Sequence, residues 1–183
     1  MSLVNSVGLQ QIDVKNEKIK YLFLGGQGQT FAYEFSTDGK KVAYIRQGDT
    51  PLELVVVDVY SGEQKSVSLT TSEGKPYLSA GTLTWSYEGN KLFFAVTYEE
   101  NGQQKGRILV ADAHNLADIR LVYAENQPIK LQKNGISFSS AYICPMETDE
   151  DTNCRIRLDL ETGEVQKWDK TCKSDHLPAS LNY

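Results

Sequence analysis

The sequence predicts an all-β fold of antiparallel four-stranded blades, forming a partial or open β-propeller with three blades and a leading half-blade. The main observation is a phrase that occurs four times, in which an apolar strand ends in Asp and a short polar turn leads to a second strand. The copies follow one another at intervals of roughly 45 to 55 residues, which is typical of propeller blades. In addition, no long stretch has the apolar spacing of a helix, apart from a weak pattern at residues 115–121. The repeated carboxylates are Asp13, Asp58, Asp112 and Asp159.

The first complete unit shows the strand order most clearly. Between its first two strands, Asp38 and Gly39 supply the turn chemistry of a tight hairpin. A short turn at Ser61 and Gly62 separates its third strand from its fourth. Apolar and β-branched residues predict the four strands at residues 31–35, 41–45, 53–58 and 64–69.

The later units repeat this order with less regularity. The second unit has Trp85 followed by Ser86 where the first has Phe35 followed by Ser36. The third unit lacks the Asp-Gly turn, and its first strand is expected at residues 135–139. The predicted parts are a half-blade at 10–24, blades at 31–69, 82–124 and 134–169, and a tail at 170–183, all within one domain of residues 1–183.

Composition and charge indicate a globular protein that neither binds nucleic acid nor inserts into a membrane. Of its 183 residues, 40% are hydrophobic, which is enough to form a packed core. The formal net charge is −5, and 19 scattered Lys and Arg are outnumbered by 24 Asp and Glu, whereas a nucleic-acid binder needs a basic field. No apolar run approaches the roughly 20 residues of a membrane-spanning helix.

The stretch from Phe35 to Tyr44, Phe-Ser-Thr-Asp-Gly-Lys-Lys-Val-Ala-Tyr, resembles the WD40-like repeat of TolB-type propellers. The phrases that start at Asp58 and Asp159 resemble the end of that repeat, Asp-x-x-Thr/Ser-Gly-Glu. Such repeats occur in a periplasmic protein that binds other envelope proteins, and in the propellers of prolyl-oligopeptidase-like peptidases and polysaccharide lyases. The resemblance therefore implies a propeller in the periplasm or outside the cell, with the cytoplasm as the alternative. It does not carry an activity with it.

No motif predicts a catalytic, cofactor or metal site, so the sequence favours a protein that is not an enzyme and has no cofactor. The Gly-rich segment 25–30 leads into a strand instead of a helix, unlike a dinucleotide fingerprint. The acidic segment 149–153 lacks the Gly and the Glu of a calcium loop, which favours a solvated hairpin tip over a cation site. The two histidines, His114 and His176, have no evident nucleophile beside them.

The repeated Asp residues favour a structural role over a catalytic one. An Asp at the end of a strand can accept hydrogen bonds from the backbone N–H groups of the following turn. We therefore expect Asp58, Asp112 and Asp159 to have like surroundings.

The three cysteines leave the redox environment open. Cys144 and Cys154 flank a polar stretch, and a disulfide between them across a hairpin would imply an oxidising compartment. Free buried or edge thiols are the favoured alternative, because connectivity cannot be read from sequence. Cys172 lies in the predicted tail, and no pair has the C-x-x-C spacing of a zinc or redox site.

The loops between second and third strands are the predicted contact surface, because they are the longest polar insertions at equivalent repeat positions. The expected function is a binding module for a protein or glycan ligand, and the alternative is the propeller domain of a larger peptidase or lyase. Self-association through unpaired edge strands is a further expectation. The candidate binding residues are Arg46, Tyr98, Glu99, Asp149 and Asp151, in the loops 46–51, 98–105 and 147–153.

Several tyrosines also lie in or near predicted loops. Tyrosine is enriched at binding hot spots, but single exposed aromatics are common on protein surfaces, so packing at strand ends is the favoured interpretation. The residues concerned are Tyr77, Tyr87, Tyr98, Tyr123 and Tyr183.

Overall fold

The computed structural model describes the backbone of residues 9–13, 18–23, 30–47, 51–133, 139–146 and 156–167, and side chains from Ala32 onwards. Within these ranges the chain forms β-strands and no helix. The strands are β1 (Leu9–Asp13), β2 (Lys18–Phe23), β3 (Thr30–Phe35), β4 (Lys41–Gln47), β5 (Leu52–Asp58), β6 (Gln64–Ser68), β7 (Ser79–Trp85), β8 (Lys91–Glu100), β9 (Gln103–Asp112), β10 (Ile119–Glu125), β11 (Ile129–Lys133), β12 (Ser140–Pro145), β13 (Ile156–Asp159) and β14 (Val165–Lys167).

The strands pair into three antiparallel sheets of four strands and one sheet of two, each in the order of the chain. We name them the half-blade (β1–β2), blade 1 (β3–β6), blade 2 (β7–β10) and blade 3 (β11–β14). Neighbouring blades pack face to face, and the first strands β3, β7 and β11 approach one another most closely. The prediction of an all-β fold with four-stranded blades is confirmed, and the described blades form an open propeller that does not close into a ring.

Side chains alternate across each strand, so blade 2 has one face for blade 1 and the opposite face for blade 3. In blade 2, Leu92 and Phe94 pack against blade 1, whereas Phe93 and Ala95 pack against blade 3. Trp85 strengthens the first of these interfaces, because its Nε1–H donates a hydrogen bond of 3.1 Å to the backbone carbonyl of Glu34.

The two interfaces between blades hold most of the buried apolar side chains. Because the hydrophobic effect scales with the apolar area removed from water, these interfaces stabilise the stack. The core between blades 1 and 2 includes Ala43, Ile45, Leu54, Leu69, Tyr77, Leu83, Trp85, Leu92, Phe94, Val96, Tyr98 and Leu109. The core between blades 2 and 3 includes Phe93, Ala95, Ile108, Val110, Ile129, Leu131, Ala141, Ile143, Leu158 and Leu160.

The carboxylates of Asp58, Asp112 and Asp159 shape equivalent turns, as predicted. Oδ1 of Asp58 accepts backbone N–H bonds from the residues two and three positions on, at 3.0 and 2.7 Å. Asp112 makes the same pair at 2.7 and 3.0 Å, and Asp159 at 2.9 and 2.7 Å. These bonds to the ionised form lower the pKa of all three carboxyl groups. The side chain of Asp13 lies outside the described residues.

The first strand of blade 3 differs from the prediction. It is β11, so the sheet of blade 3 begins at Ile129 and not at residue 134. The predicted strand at 135–139 falls outside the described residues except for Ser139. Along β11, buried Ile129 and Leu131 alternate with more exposed residues, and both pack against blade 2. Burial of these two side chains determines which segment forms the first strand of the blade. The prediction instead relied on the likeness of Phe138-Ser139 to the first strands of the earlier units. Residues 134–138 and the predicted tail lie outside the described residues.

The predicted loop at residues 98–105 is instead part of a long hairpin. Strands β8 and β9 stay paired up to Glu100 and Gln103, with Tyr98 opposite Lys105. Asn101 and Gly102 form the turn with φ of 54° and 76°, the backbone that a two-residue hairpin turn requires. Polar residues in this stretch suggested a loop, but they cover strands that project beyond the rest of the sheet.

Cys144 is disulfide-bonded, which contradicts the favoured expectation of free thiols. The Cys144 side chain is buried in β12, with 1% of the residue exposed. Cys154 and Cys172 both lie outside the described residues.

Candidate binding cleft

A shallow cleft lies between the projecting β8–β9 hairpin and the segment that links blade 1 to blade 2. The cleft is open to solvent, and its enclosed part is small, about 30 Å³. Concave surfaces with a few convergent polar groups are where ligands usually bind. The lining residues are Thr71, Ser72, Glu73, Lys75, Pro76, Tyr98, Glu99, Glu100 and Arg107.

The linking segment forms one wall of the cleft and is tied down at both ends. At its start, the Leu69 N–H donates to the Leu52 carbonyl at 2.7 Å, and at its end the Leu78 N–H donates to the Thr97 carbonyl at 2.8 Å. Between these points a β-bridge joins Thr70 to Pro76. The segment is therefore a fixed wall, since its backbone is bonded to both blades.

The hairpin forms the opposite wall with a stacked cation and aromatic ring, and a second ring from the linking segment packs against them. The guanidinium carbon of Arg107 lies 4.1 Å from the centre of the Tyr98 ring, a cation–π distance. Tyr77 meets the same ring edge to face, with centroids 6.4 Å apart and an interplanar angle of 89°. Tyr77 and Tyr98 are only 5% and 9% exposed, so the expectation of packing is confirmed for both.

Most charges in the cleft are already paired. Lys75 lies 2.8 Å from Glu73, and Lys105, beside the cleft, lies 2.6 Å from Glu100. The second pair lowers the pKa of Glu100 and raises the pKa of Lys105, chiefly through their hydrogen bond. Arg107 has no carboxylate partner among the described residues, and its Nε is buried without a hydrogen-bond acceptor there.

Burial of the Arg107 side chain would by itself lower the pKa of its guanidinium. Hydrogen bonding to Tyr77 and interaction with Tyr98 outweigh that effect and raise the pKa of Arg107 overall. The group is therefore a permanent cation at any physiological pH. It is held in place by aromatic rings and not by an opposite charge.

The structure brings two of the predicted binding residues together and separates a third. Tyr98 and Glu99 both line the cleft. Arg46 lies in β4 directly opposite Glu53, whose carboxylate it contacts at 2.8 Å through both Nε and Nη2, so it is committed to a cross-strand pair. Asp149 and Asp151 lie outside the described residues.

Sequence reasoning missed Arg107 and Lys75. Arg107 pairs with Val96 across β8 and β9, so its position beside Tyr98 depends on the register of the hairpin. The available signal was Asn101-Gly102 between two stretches rich in strand-forming residues, the strongest short-range hairpin pattern.

The other chemical candidates stay outside the cleft. His114 lies in an exposed turn, where its backbone N–H donates to Asp112. Tyr87 is 60% exposed in the turn between β7 and β8, while the Tyr123 hydroxyl donates to Glu125 at 2.6 Å. Within the described parts of the chain, no three His, Cys, Asp or Glu side chains are placed to hold a metal ion. Nor does any helix there have the length and apolarity to cross a membrane.

No protein-family model matches the chain, and no curated protein matches it in sequence. Several solved structures resemble it. Oligogalacturonate lyase from Vibrio parahaemolyticus has a TM-score of 0.62 and 15% identity, over 86% of this chain and 44% of that one. A prolyl endopeptidase has a TM-score of 0.63 and 15% identity, over 89% of this chain and 24% of that one. A putative TolB from Agrobacterium tumefaciens has a TM-score of 0.53 and 14% identity, over 88% of this chain and 60% of that one.

These likenesses show the β-propeller fold alone, because the sequence identities are low. The similar proteins include enzymes as well as a TolB, so the fold is compatible with both kinds of function. The chain spans less than half the length of the two oligogalacturonate lyase chains that it resembles.

Proposed function

We propose that the chain is a non-enzymatic binding module of the TolB-like, WD40-like propeller type, which holds a protein or glycan ligand in the cleft beside the β8–β9 hairpin. The observation that carries this proposal is the Arg107 cation, stacked on Tyr98 without a carboxylate partner among the described residues. A charged group of this kind is a ready partner for a ligand, because it is already oriented.

The composition of the cleft supports binding. Arginine and tyrosine are the residue types most often found at the energetic centres of interfaces. Here both are fixed by packing, since the rings of Tyr77 and Tyr98 are buried in the core between blades 1 and 2. Binding would therefore cost little ordering of these side chains.

The disulfide at Cys144 supports a location in the periplasm or outside the cell. Disulfides persist in oxidising compartments and are rare in the cytosol. Peptide mapping of the native protein under non-reducing conditions tests this, because a free Cys144 thiol in freshly isolated material would point to the cytoplasm.

A second candidate is the propeller domain of a larger enzyme, a peptidase or a lyase. It is favoured by the fraction of each similar enzyme that the chain spans, 44% of the lyase and 24% of the prolyl endopeptidase. The mass of the native gene product separates the two candidates. A product no longer than this chain would remove the enzyme-domain candidate.

A screen against peptide and glycan arrays tests the binding function. The wild-type chain is compared with Glu99→Arg, which places a long cation in the cleft, and with Glu63→Arg, which makes the same change in the exposed turn between β5 and β6. We expect the wild type and the Glu63→Arg control to give array signals. The Glu99→Arg variant should lose these signals. Signals that are the same for all three proteins would exclude the cleft as the binding site.

A further inference from the structure

We propose that the cleft recognises an extended protein segment in which an acidic and a basic side chain lie close together, the carboxylate against Arg107 and the cation against Glu99. This inference rests on the proposed binding function and names its ligand class. It is based on the two charged side chains in the cleft that form no ion pair with any described residue.

Two charges remain after the internal pairs are assigned. Lys75 is paired with Glu73, and Glu100 with Lys105. Arg107 and Glu99 both line the cleft and take part in no ion pair with any described residue. One unpaired cation and one unpaired anion within a small concave surface are complementary to a ligand that carries both signs.

Arg107 is suited to a carboxylate in particular. Its planar guanidinium lies over the Tyr98 ring, which covers one face and leaves the hydrogen-bond donors at the edge of the plane. A carboxylate can accept two parallel hydrogen bonds from such an edge. Because the Nε is buried, the two bonds would come from the terminal Nη groups.

Glu99 provides the second contact. It lies near the tip of the hairpin, opposite Gln104 in the register, and its side chain is exposed. Glu99 and Arg107 both belong to the hairpin, so a basic side chain that lies further towards the hairpin tip than the bound carboxylate would reach Glu99. The hydroxyl groups of Thr71 and Ser72 on the other wall can accept or donate hydrogen bonds to a peptide backbone.

The same charges disfavour an acidic glycan. Glu73, Glu99 and Glu100 all line the cleft, so a chain of uronic acids would bring further negative charge towards three carboxylates. It would satisfy Arg107 but leave Glu99 without a partner. A neutral glycan would use neither of the two unpaired charges.

Short peptides test the charge pattern. Three Gly-Ser peptides are used, one with Glu and Lys two residues apart, one with Glu alone and one with Lys alone, together with an oligogalacturonate as an acidic glycan. Binding is measured from NMR shifts of the Tyr98 and Gly106 amides during titration. We expect the peptide with both charges to bind most tightly. Arg107→Gln and Glu99→Gln should each weaken it roughly tenfold, the value of one charge-assisted hydrogen bond.

Matched variants serve as controls. Arg120→Gln and Glu63→Gln neutralise one cation and one anion at exposed positions away from the cleft, and should leave affinity unchanged. Arg107→Lys keeps the charge but loses the planar fork, so it should retain part of the affinity. Amide dispersion of β8 and β9 shows that each variant keeps the hairpin.

The outcomes separate this inference from the proposed function. Tighter binding of the oligogalacturonate, or equal binding of the peptide with Glu alone, would overturn the proposed ligand class. The proposed ligand class would also be overturned if none of the peptides bound although the array signals depended on the cleft. If Glu99→Arg leaves every array signal unchanged, the binding function of the cleft fails as well.

Discussion

The two outermost blades differ in the face that each turns away from blade 2. Register places Val42 opposite Val57 in blade 1, on the face away from blade 2, and both are fully buried. In blade 3 the corresponding face carries Tyr142 opposite Arg157, and both are partly exposed. The outward face of blade 1 is therefore apolar and buried at this position, whereas that of blade 3 is polar and partly exposed.

Equivalent positions show where the repeat changes. Toward the following blade, blade 1 presents the pair Ala43–Val56 and blade 2 presents Phe93–Val110. The same pair in blade 3 is Tyr142–Arg157. In repeat proteins a terminal unit with a polar outer face ends the apolar packing. Blade 3 has this property within the described residues, whereas blade 1 keeps an apolar face.

The apolar face of blade 1 is a separate small core. None of the described apolar residues outside blade 1 packs against it. Its members are nevertheless buried, so the face behaves as an interior surface. They are Val42, Tyr44, Val55, Val57 and Val59.

The largest expected effect comes from a polar substitution on the apolar face. Val57→Asn loses a buried apolar side chain and buries an amide, which should lower the free energy of unfolding by about 3–5 kcal/mol. Arg157→Asn on the polar face of blade 3 should cost less than about 1 kcal/mol, as for other partly exposed sites. Urea unfolding of both variants measures the difference. If both variants lost the same free energy of unfolding, the two faces would not differ as described.

The junction between blades 2 and 3 depends on a close approach at a glycine. A Cβ added at Gly106 in β9 would lie 2.5 Å from Cγ1 of Ile129 and 2.8 Å from the Gln127 carbonyl oxygen. Such distances force β11 to move. At Gly81 in β7, the nearest atom, Cβ of Ala95, would be 3.6 Å away, an ordinary contact.

Gly106→Ala should therefore destabilise the protein by about 1–3 kcal/mol, the usual cost of overpacking. Gly81→Ala should stay within about 0.5 kcal/mol. Hydrogen exchange adds a test of location, because Gly106→Ala should lower protection in β11 and β12 more than in blade 1. Uniform loss of protection would contradict a local effect at this junction.

Structural features that depend on residues close together in the sequence could be predicted from it. The Asp58 and Asp159 turns were predictable because each carboxylate bonds residues two and three positions further along. The start of blade 3 was not, because Ile129 and Leu131 become a first strand by packing against blade 2. That contact is distant in sequence and leaves no motif.

In the candidate cleft, too, some residues could be predicted from the sequence and others depend on contacts that the sequence does not show. Tyr98 and Glu99 were selected as residues of a polar insertion, and they do line the cleft. Their surroundings are a hairpin and a linking segment, so the chemistry depends on which residue of β9 stacks on Tyr98. Lys105 lies directly opposite Tyr98, but Arg107, two residues further along β9, provides the stacked guanidinium. Only the register shows this. Arg46 looked equivalent in sequence but lies opposite Glu53, which neutralises it.

The smallest expected effect concerns the Asp turns, where blades 1 and 3 should behave alike. In the folded protein the pKa of Asp58 and of Asp159 lies below the ordinary value of 3.8, chiefly because backbone N–H groups bond the ionised form. A carboxyl group with a lowered folded-state pKa stabilises the fold above its unfolded pKa and loses that contribution as the pH falls through the folded value. Stability should therefore decline as the pH falls below about 4.

Asp58→Asn and Asp159→Asn should each remove a similar part of this decline, because the two carboxylates have the same set of donors, including a hydroxyl at 2.9 Å from Ser61 and at 3.0 Å from Thr162. Chemical unfolding at neutral and acidic pH measures both variants. The effect should be modest, since both carboxylates are near the surface and solvent screens them. A clear inequality between the variants would mean that the polar end of the stack also alters the turn, so that blade 3 differs from blade 1 in more than its outer face.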